Sequence, residues 1–159
     1  MDRLSRVWPS MRNPSVGEPE SSRRILFCPT GWSCWGIYGV SKGDVVATRH
    51  DDGELRAVAV VQRGGHSTLR VFAEASDFRQ SILQRLSELG ASCGITKGLS
   101  LFTADIPPEV DFAAIDAYLD SISDGEDIAY EDACLQHNGV GDDRRRECEA
   151  MATVPLRLH

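Results

Sequence analysis

"DIAYEDACL", residues 127–135, decides the fold. Read as a continuation of the helical period before it, the stretch leaves a three-stranded sheet over a marginal core. Read as extended chain, it supplies a fourth strand. Asp124-Gly125 breaks the preceding helix and the remaining run is long enough for a strand, so a last strand is the reading taken here.

Working back toward the N-terminus, "DFAAIDAYLDSI" (111–122) places Phe112, Ile115, Leu119 and Ile122 on one helical face. Asp111 is the expected cap, and Pro107-Pro108 forbids an earlier start. "SCGITKG" and "LSLFTADIP" read as two short strands joined by a turn at Lys97-Gly98. "SDFRQSILQRLSELG" (76–90) is a helix with Phe78, Ile82, Leu86 and Leu89 on one face. Ser76 or Asp77 is its expected cap, and Gly90 closes it. "STLRVFAE" follows Gly64-Gly65 as a strand with Leu69, Val71 and Ala73 pointing one way. From Ser67 the order is therefore strand, helix, strand, strand, helix, strand. The expected class is α+β: a ferredoxin-like split βαβ antiparallel sheet with both helices on one face.

Ahead of it, "DVVATRH" and "ELRAVAVVQR" flank the turn "DDG" (51–53). In the second run Leu55, Ala57, Ala59 and Val61 alternate with Arg56, Val58 and Val60, so both faces are largely apolar and the strand is expected to be central. The expected division is a disordered arm over 1–22 and a single domain over 23–137, made of a β-hairpin module (23–66) and the ferredoxin-like module (67–137). A flexible tail or short helix follows over 138–159.

The chain has 159 residues, 42% of them hydrophobic and 26% charged, with a net charge of −7. That is an ordinary globular composition, and its sign opposes a nucleic-acid partner and suits a basic one. Neither an apolar run long enough for a bilayer nor a secretory leader is visible, which points to the cytoplasm. The five cysteines, Cys28, Cys34, Cys93, Cys134 and Cys148, show no regular spacing and read as reduced thiols. Cys134 and His137 have a two-residue gap, but Cys28 and Cys34 are six apart, too loose for the closely spaced pairs of structural zinc, so no metal and no cofactor is expected.

Taken together, "GVSKGDVV" (39–46), "DDGELRAVAVVQRGGHSTLRV" (51–71), "LSELGASCGI" (86–95), "ADIPPEVDFAAIDAYLD" (104–120) and "YEDACL" (130–135) resemble the bacterial family catalogued as domain of unknown function 4265. The resemblance spans roughly Gly39 to Leu135. It implies a compact bacterial cytoplasmic domain and carries no reaction to transfer.

The candidate chemistry centres on "RGGHSTLR" (63–70). "HSTL" is similar to the His-x-Thr-apolar element of two-histidine phosphoesterases, in which one imidazole takes a proton from the nucleophile and a second protonates the leaving oxygen. Only one such element is present. The enzymatic reading uses His66, Ser67, Thr68 and Arg70. A ligand-binding reading has Arg63, Gly64, Gly65 and His66 hold a phosphate or carboxylate on backbone N–H groups. The structural reading has the glycines turn and the hydroxyls satisfy backbone groups leaving the sheet. A partner surface is expected from Trp32, Trp35 and Tyr38 as aromatic anchors and from Asp116, Asp120, Asp124, Glu126 and Asp127 as a negative face. The leading expectation is a small non-enzymatic protein-binding or regulatory module, such as an immunity-type inhibitor of a basic toxin. The alternative is a phosphoesterase-like enzyme or a phosphate- or nucleotide-binding protein using the GGHST loop.

Overall fold

The computed structural model describes residues 26, 27 and 37–157. The expected arm over 1–22 lies outside the described residues, as do Trp32, Trp35, Cys28 and Cys34. In chain order the elements are β1 (Leu26–Phe27), β2 (Val45–Asp51), β3 (Glu54–Gln62), β4 (Ser67–Ala73), α1 (Ser76–Glu88), β5 (Ser92–Ile95), β6 (Leu101–Ile106), α2 (Phe112–Ile122), β7 (Ile128–Cys134) and α3 (Asp142–Ala150). Among the described residues they form a mixed α and β structure with three helices and two antiparallel sheets, ordered β1-β2-β3 and β5-β6-β4-β7.

Residues 127–135 are extended for a local reason. Ser123 leaves the helical backbone of α2 at φ −71°, ψ 128°. Gly125 then takes φ +81°, a conformation a side chain disfavours. Asp124 Oδ1 accepts the N–H groups of Glu126 and Ile128 at 2.9 and 3.0 Å, which closes the turn. β7 then pairs with β4 from Ala73 opposite Ile128 to Thr68 opposite Cys134.

Because β4 has β6 on one side and β7 on the other, Leu69, Val71 and Ala73 are wholly buried. Ile82 and Leu86 of α1 and Phe112, Ile115 and Leu119 of α2 pack into the same cluster with Phe102, Ala104 and Ile106. Both helices therefore cover one face of the four-stranded sheet. Each of these large side chains contributes about 1.5–3 kcal/mol by leaving water. A second, smaller cluster joins Ile37, Val40, Val46, Val60 and Val154 beneath the three-stranded sheet.

Several expectations need correction. Phe78 is 56% exposed, since it lies in the first turn of α1, beyond the edge of the core. The N-cap of α1 is Ala75, and neither Ser76 nor Asp77 caps it through a side chain. Asp111 does cap α2, accepting the Ala113 N–H at 3.0 Å. β3 is not central: β2 lies between it and β1, and its far side meets the C-terminal segment. There Val60 donates its N–H to the Pro155 carbonyl and accepts the Arg157 N–H, each at 2.9 Å. That segment continues the sheet at the edge of β3, where Val60 is fully buried. Residues 138–157 thus contribute a helix and then pair with the first sheet.

Candidate functional site

The two sheets meet where the turn before β2 approaches the loop between β3 and β4. Gly64 stands so close to Gly43 that a Cβ on Gly64 would lie 2.5 Å from the Gly43 carbonyl carbon. A side chain at 64 would prevent that approach, and Gly43 takes φ +82°, which a side chain disfavours. The approach brings Asp44, which is fully buried, under the loop. Its Oδ1 accepts the Gly64 N–H at 2.8 Å and Gln136 Nε2 at 2.9 Å. Its Oδ2 accepts the Ser41 N–H at 2.9 Å and Arg63 Nη1 at 3.0 Å. Arg63 also donates to the Gly39 carbonyl at 2.7 Å, and the Gly65 N–H donates to Gln136 Oε1 at 2.8 Å. The Gly64 and Gly65 N–H groups, two donors of the expected cradle, thus already have protein acceptors.

Ser67, Thr68 and Arg70 are drawn in three directions. Ser67 is fully buried; its Oγ accepts the N–H groups of Gln136 and His137 at 2.8 and 3.2 Å. That oxygen also lies 2.7 Å from His137 Nδ1. Because His137 Nε2 must donate to the Pro107 carbonyl at 2.9 Å, Nδ1 is the acceptor and the Ser67 hydroxyl donates to it. Thr68 Oγ1 shares a hydrogen bond with Ser41 Oγ at 2.7 Å. Arg70 donates to the Tyr38 hydroxyl, lies over its ring at 5.1 Å and pairs with Glu131 at 3.1 Å. Tyr38, expected as a partner anchor, is thereby tied to the sheet, and burial is the first cause of its raised pKa.

His66 is placed differently from its neighbours. Its Nδ1 lies 2.8 Å from Asp105 Oδ1, and the other oxygen of that carboxylate lies 3.8 Å from Lys42 Nζ. The three residues come from the loop before β4, from β6 and from the turn before β2.

Helix α3 brings Arg144 against the second half of the chain. Its guanidinium donates to both oxygens of Asp132, each at 2.7 Å, and to both oxygens of Asp116, at 2.7 and 2.9 Å. It also lies over the Phe112 ring at 5.6 Å. The hydrogen bonds from Arg144 hold the Asp116 carboxyl below its ordinary range, against the opposing effect of burial. Burial and the bond to Asp116 push the Tyr130 hydroxyl up to about 12. Asp116 is therefore an internal partner, while Asp120, Asp124, Glu126 and Asp127 are exposed around the end of α2. Beside the Asp116–Arg144 pair opens a cleft of about 650 Å³, floored by Phe112 and His137 and rimmed by Pro108, Val110 and Val140.

Asp44, Asp105, Gln136, His137 and Arg144 carry much of this geometry and were not singled out as site residues from sequence. Their partners are distant in the chain: 92 residues separate Gln136 from Asp44 and 70 separate His137 from Ser67. No local motif reports such pairs. Among the described residues, Cys93, Cys134 and Cys148 are free thiols. No helix among them is long and apolar enough to cross a membrane.

A family model described as "Domain of unknown function (DUF4265)" matches residues 33–130. No curated protein matches the chain. Among solved structures, the chain is similar to one titled "Novel crystal structure of a hypothetical protein from Neisseria gonorrhoeae". The match has 16% identity, covers 67% of this chain and 73% of that one, and has a TM-score of 0.56. At that identity the likeness concerns the fold alone.

Proposed function

We propose, from the premise that the chain belongs to the family described as domain of unknown function 4265, that it is a small non-enzymatic regulatory module of the bacterial cytoplasm. In this reading it docks a basic protein on the acidic end of α2. We read the four-stranded unit as a ferredoxin-like split βαβ domain, which its strand order and the shared helix-side core support.

One observation carries the docking reading. The last turn of α2 has no basic residue, although a helix C-terminus favours cations. Instead Asp120, Asp124, Glu126 and Asp127 crowd that end, all exposed. Such an arrangement opposes local stability, and departures of that kind concentrate where a surface serves a partner. The turn is also preorganised, because Asp124 holds two backbone N–H groups and leaves Glu126 and Asp127 projecting. A concrete form is an immunity-type inhibitor, in which complementary charge speeds association with a basic toxin. The engagement of Ser67 and Thr68 in buried hydrogen bonds favours this reading over the phosphoesterase alternative.

The test compares the tagged chain with an Asp120→Lys, Glu126→Lys, Asp127→Lys variant in capture from the host, leaving Asp124 intact to hold the turn. The expected result is a stoichiometric basic protein that the wild type retains at moderate salt and the variant loses. A partner held equally by both, or none held by either, overturns the proposal.

A further inference from the structure

We propose that His66 is a phosphoryl-acceptor histidine, served by Asp105 as the group that orients its ring and by Lys42 as the cation that receives the phosphoryl oxygens. The juxtaposition comes from three elements. His66 Nδ1 lies 2.8 Å from Asp105 Oδ1, and an ionised carboxylate only accepts, so Nδ1 carries the proton and Nε2 carries the free lone pair. Among the described residues Nε2 meets no hydrogen-bond partner, and it is not among the buried polar atoms left without one. The side chain keeps 17% of its surface exposed. The Cδ2 edge of the ring lies 3.5 Å from where a Cβ on Gly43 would stand, so that edge of the ring lies toward the turn that carries Lys42.

A carboxylate on the far nitrogen fixes the orientation of the imidazole ring, as it does for metal-ligating imidazoles. It also presets the tautomer that leaves Nε2 as the nucleophile. The second Asp105 oxygen is buried without a hydrogen-bond partner. Lys42 Nζ, 3.8 Å from it, is held there by charge at a distance too long for a hydrogen bond. The ammonium therefore keeps its N–H donors for an incoming anion. Lys42 is the chain neighbour of Gly43, beside which the ring carbon bonded to Nε2 lies, so its flexible side chain can bring those donors to a phosphoryl group, whose charge is spread over its oxygens. The other described histidines differ: His137 has both ring nitrogens engaged, and His50 is exposed on β2.

With a small phosphoramidate as donor, the Nε2 lone pair forms a bond to phosphorus while the bond from phosphorus to the donor nitrogen breaks. The electron pair of the broken bond leaves on that nitrogen, which already carries its protons and departs as ammonia. The Nδ1 proton stays on the imidazole ring toward Asp105, and no oxidant or reductant takes part.

The test incubates the full chain with phosphoramidate near neutral pH and follows acid-labile phosphorylation of each histidine by peptide mapping under alkaline conditions. His66 is expected to react about tenfold or more faster than the exposed His50 in the same molecule. The comparison is internal to the wild type and does not depend on any variant folding. Asp105→Asn and Lys42→Met, each checked for a retained fold by circular dichroism, are expected to lower the His66 rate about tenfold without changing that of His50. Lys42→Arg is expected to restore part of it. A His66 rate no greater than that of His50, or one that neither Asp105→Asn nor Lys42→Met changes, overturns the proposal.

Discussion

Asp44 and Arg63 form an ion pair at 3.0 Å in which the Asp44 side chain is wholly buried while the Arg63 side chain keeps 20% of its surface in solvent. The carboxylate is tolerated there because two backbone N–H groups and the Gln136 amide share it with Arg63. Removing the carboxylate strands all of them. Asp44→Ala is expected to lower folding stability by about 3–5 kcal/mol. Urea unfolding reads this as a fall in midpoint with an unchanged slope. A loss below about 1 kcal/mol would mean that water replaces the carboxylate at little cost.

Gly64→Ala tests the backbone contact that joins the sheets. Its Cβ would press on the Gly43 carbonyl carbon, which cannot rotate away as a side chain would. The expected loss is about 3 kcal/mol or more. Gly141→Ala is the control: nothing lies within 4 Å of its Cβ and its φ is −57°, so a change within about 0.5 kcal/mol is expected.

The Asp116–Arg144 pair sets an acid limit on the docking of α3. Arg144 holds the folded-state pKa of Asp116 below its ordinary value of 3.8. A depressed carboxylate contributes stability that is fully present above the unfolded value and is lost as pH falls through the folded one. The sensitive window therefore lies below about pH 4. Because 32% of the Arg144 side chain meets solvent, Arg144→Met is expected to cost about 1–2 kcal/mol at neutral pH, less than a fully buried pair. It should also flatten stability against pH within that window, as read by urea titrations at stepped pH.

Asp120→Lys separates stability from binding. A cation in the last turn of α2 complements the helix dipole and is expected to stabilise the fold by about 0.3–1 kcal/mol. The same change weakens retention of a basic partner. Thermal melting and salt-dependent capture on one preparation read both effects, and a variant that is less stable and binds unchanged contradicts the role given to this end of the helix.

The thiols are expected to be slow. Burial is the first cause that pushes both Cys93 and Cys148 up to about 11, so at pH 8 almost none of either is thiolate. Followed residue by residue by peptide mapping, a disulfide reagent should label Cys93 and Cys148 slowly in the native chain and at the rate of a free thiol in the urea-unfolded one. Rapid native labelling would show that the chain opens at these positions on the labelling timescale.

The elements from β4 to β7 were legible because each announces itself over a few residues. Asp111 caps α2, Gly90 follows α1, and Asp124-Gly125 breaks the chain before β7. The position of β3 was misjudged for a related reason. Apolar residues on both faces report that those faces are to be buried and do not report what pairs with the strand's edge, here residues 155–157. Phe78 kept the helical period of α1 yet fell outside the core, since period fixes a face and not how far the core extends along it.

The sequence by itself determined which segments from β2 to β7 are helical and which extended, where the turns between them fall, and that an acidic surplus gathers in the second half of the body. Those properties follow from backbone sterics, side-chain period and local hydrogen bonding, all of which act within one or two turns of chain. Only the tertiary structure decided which polar side chains share a hydrogen bond. His66 faces Asp105 across 39 residues, Ser67 holds His137, and Arg144 withdraws Asp116 from the acidic face while Asp120 and Glu126 stay exposed. The physical reason is strand register. A hydrogen bond forms at about 2.8–3 Å, and a one-residue slip of any strand turns its side chains to the opposite face. Such contacts exist only after β4, β6 and β7 have aligned.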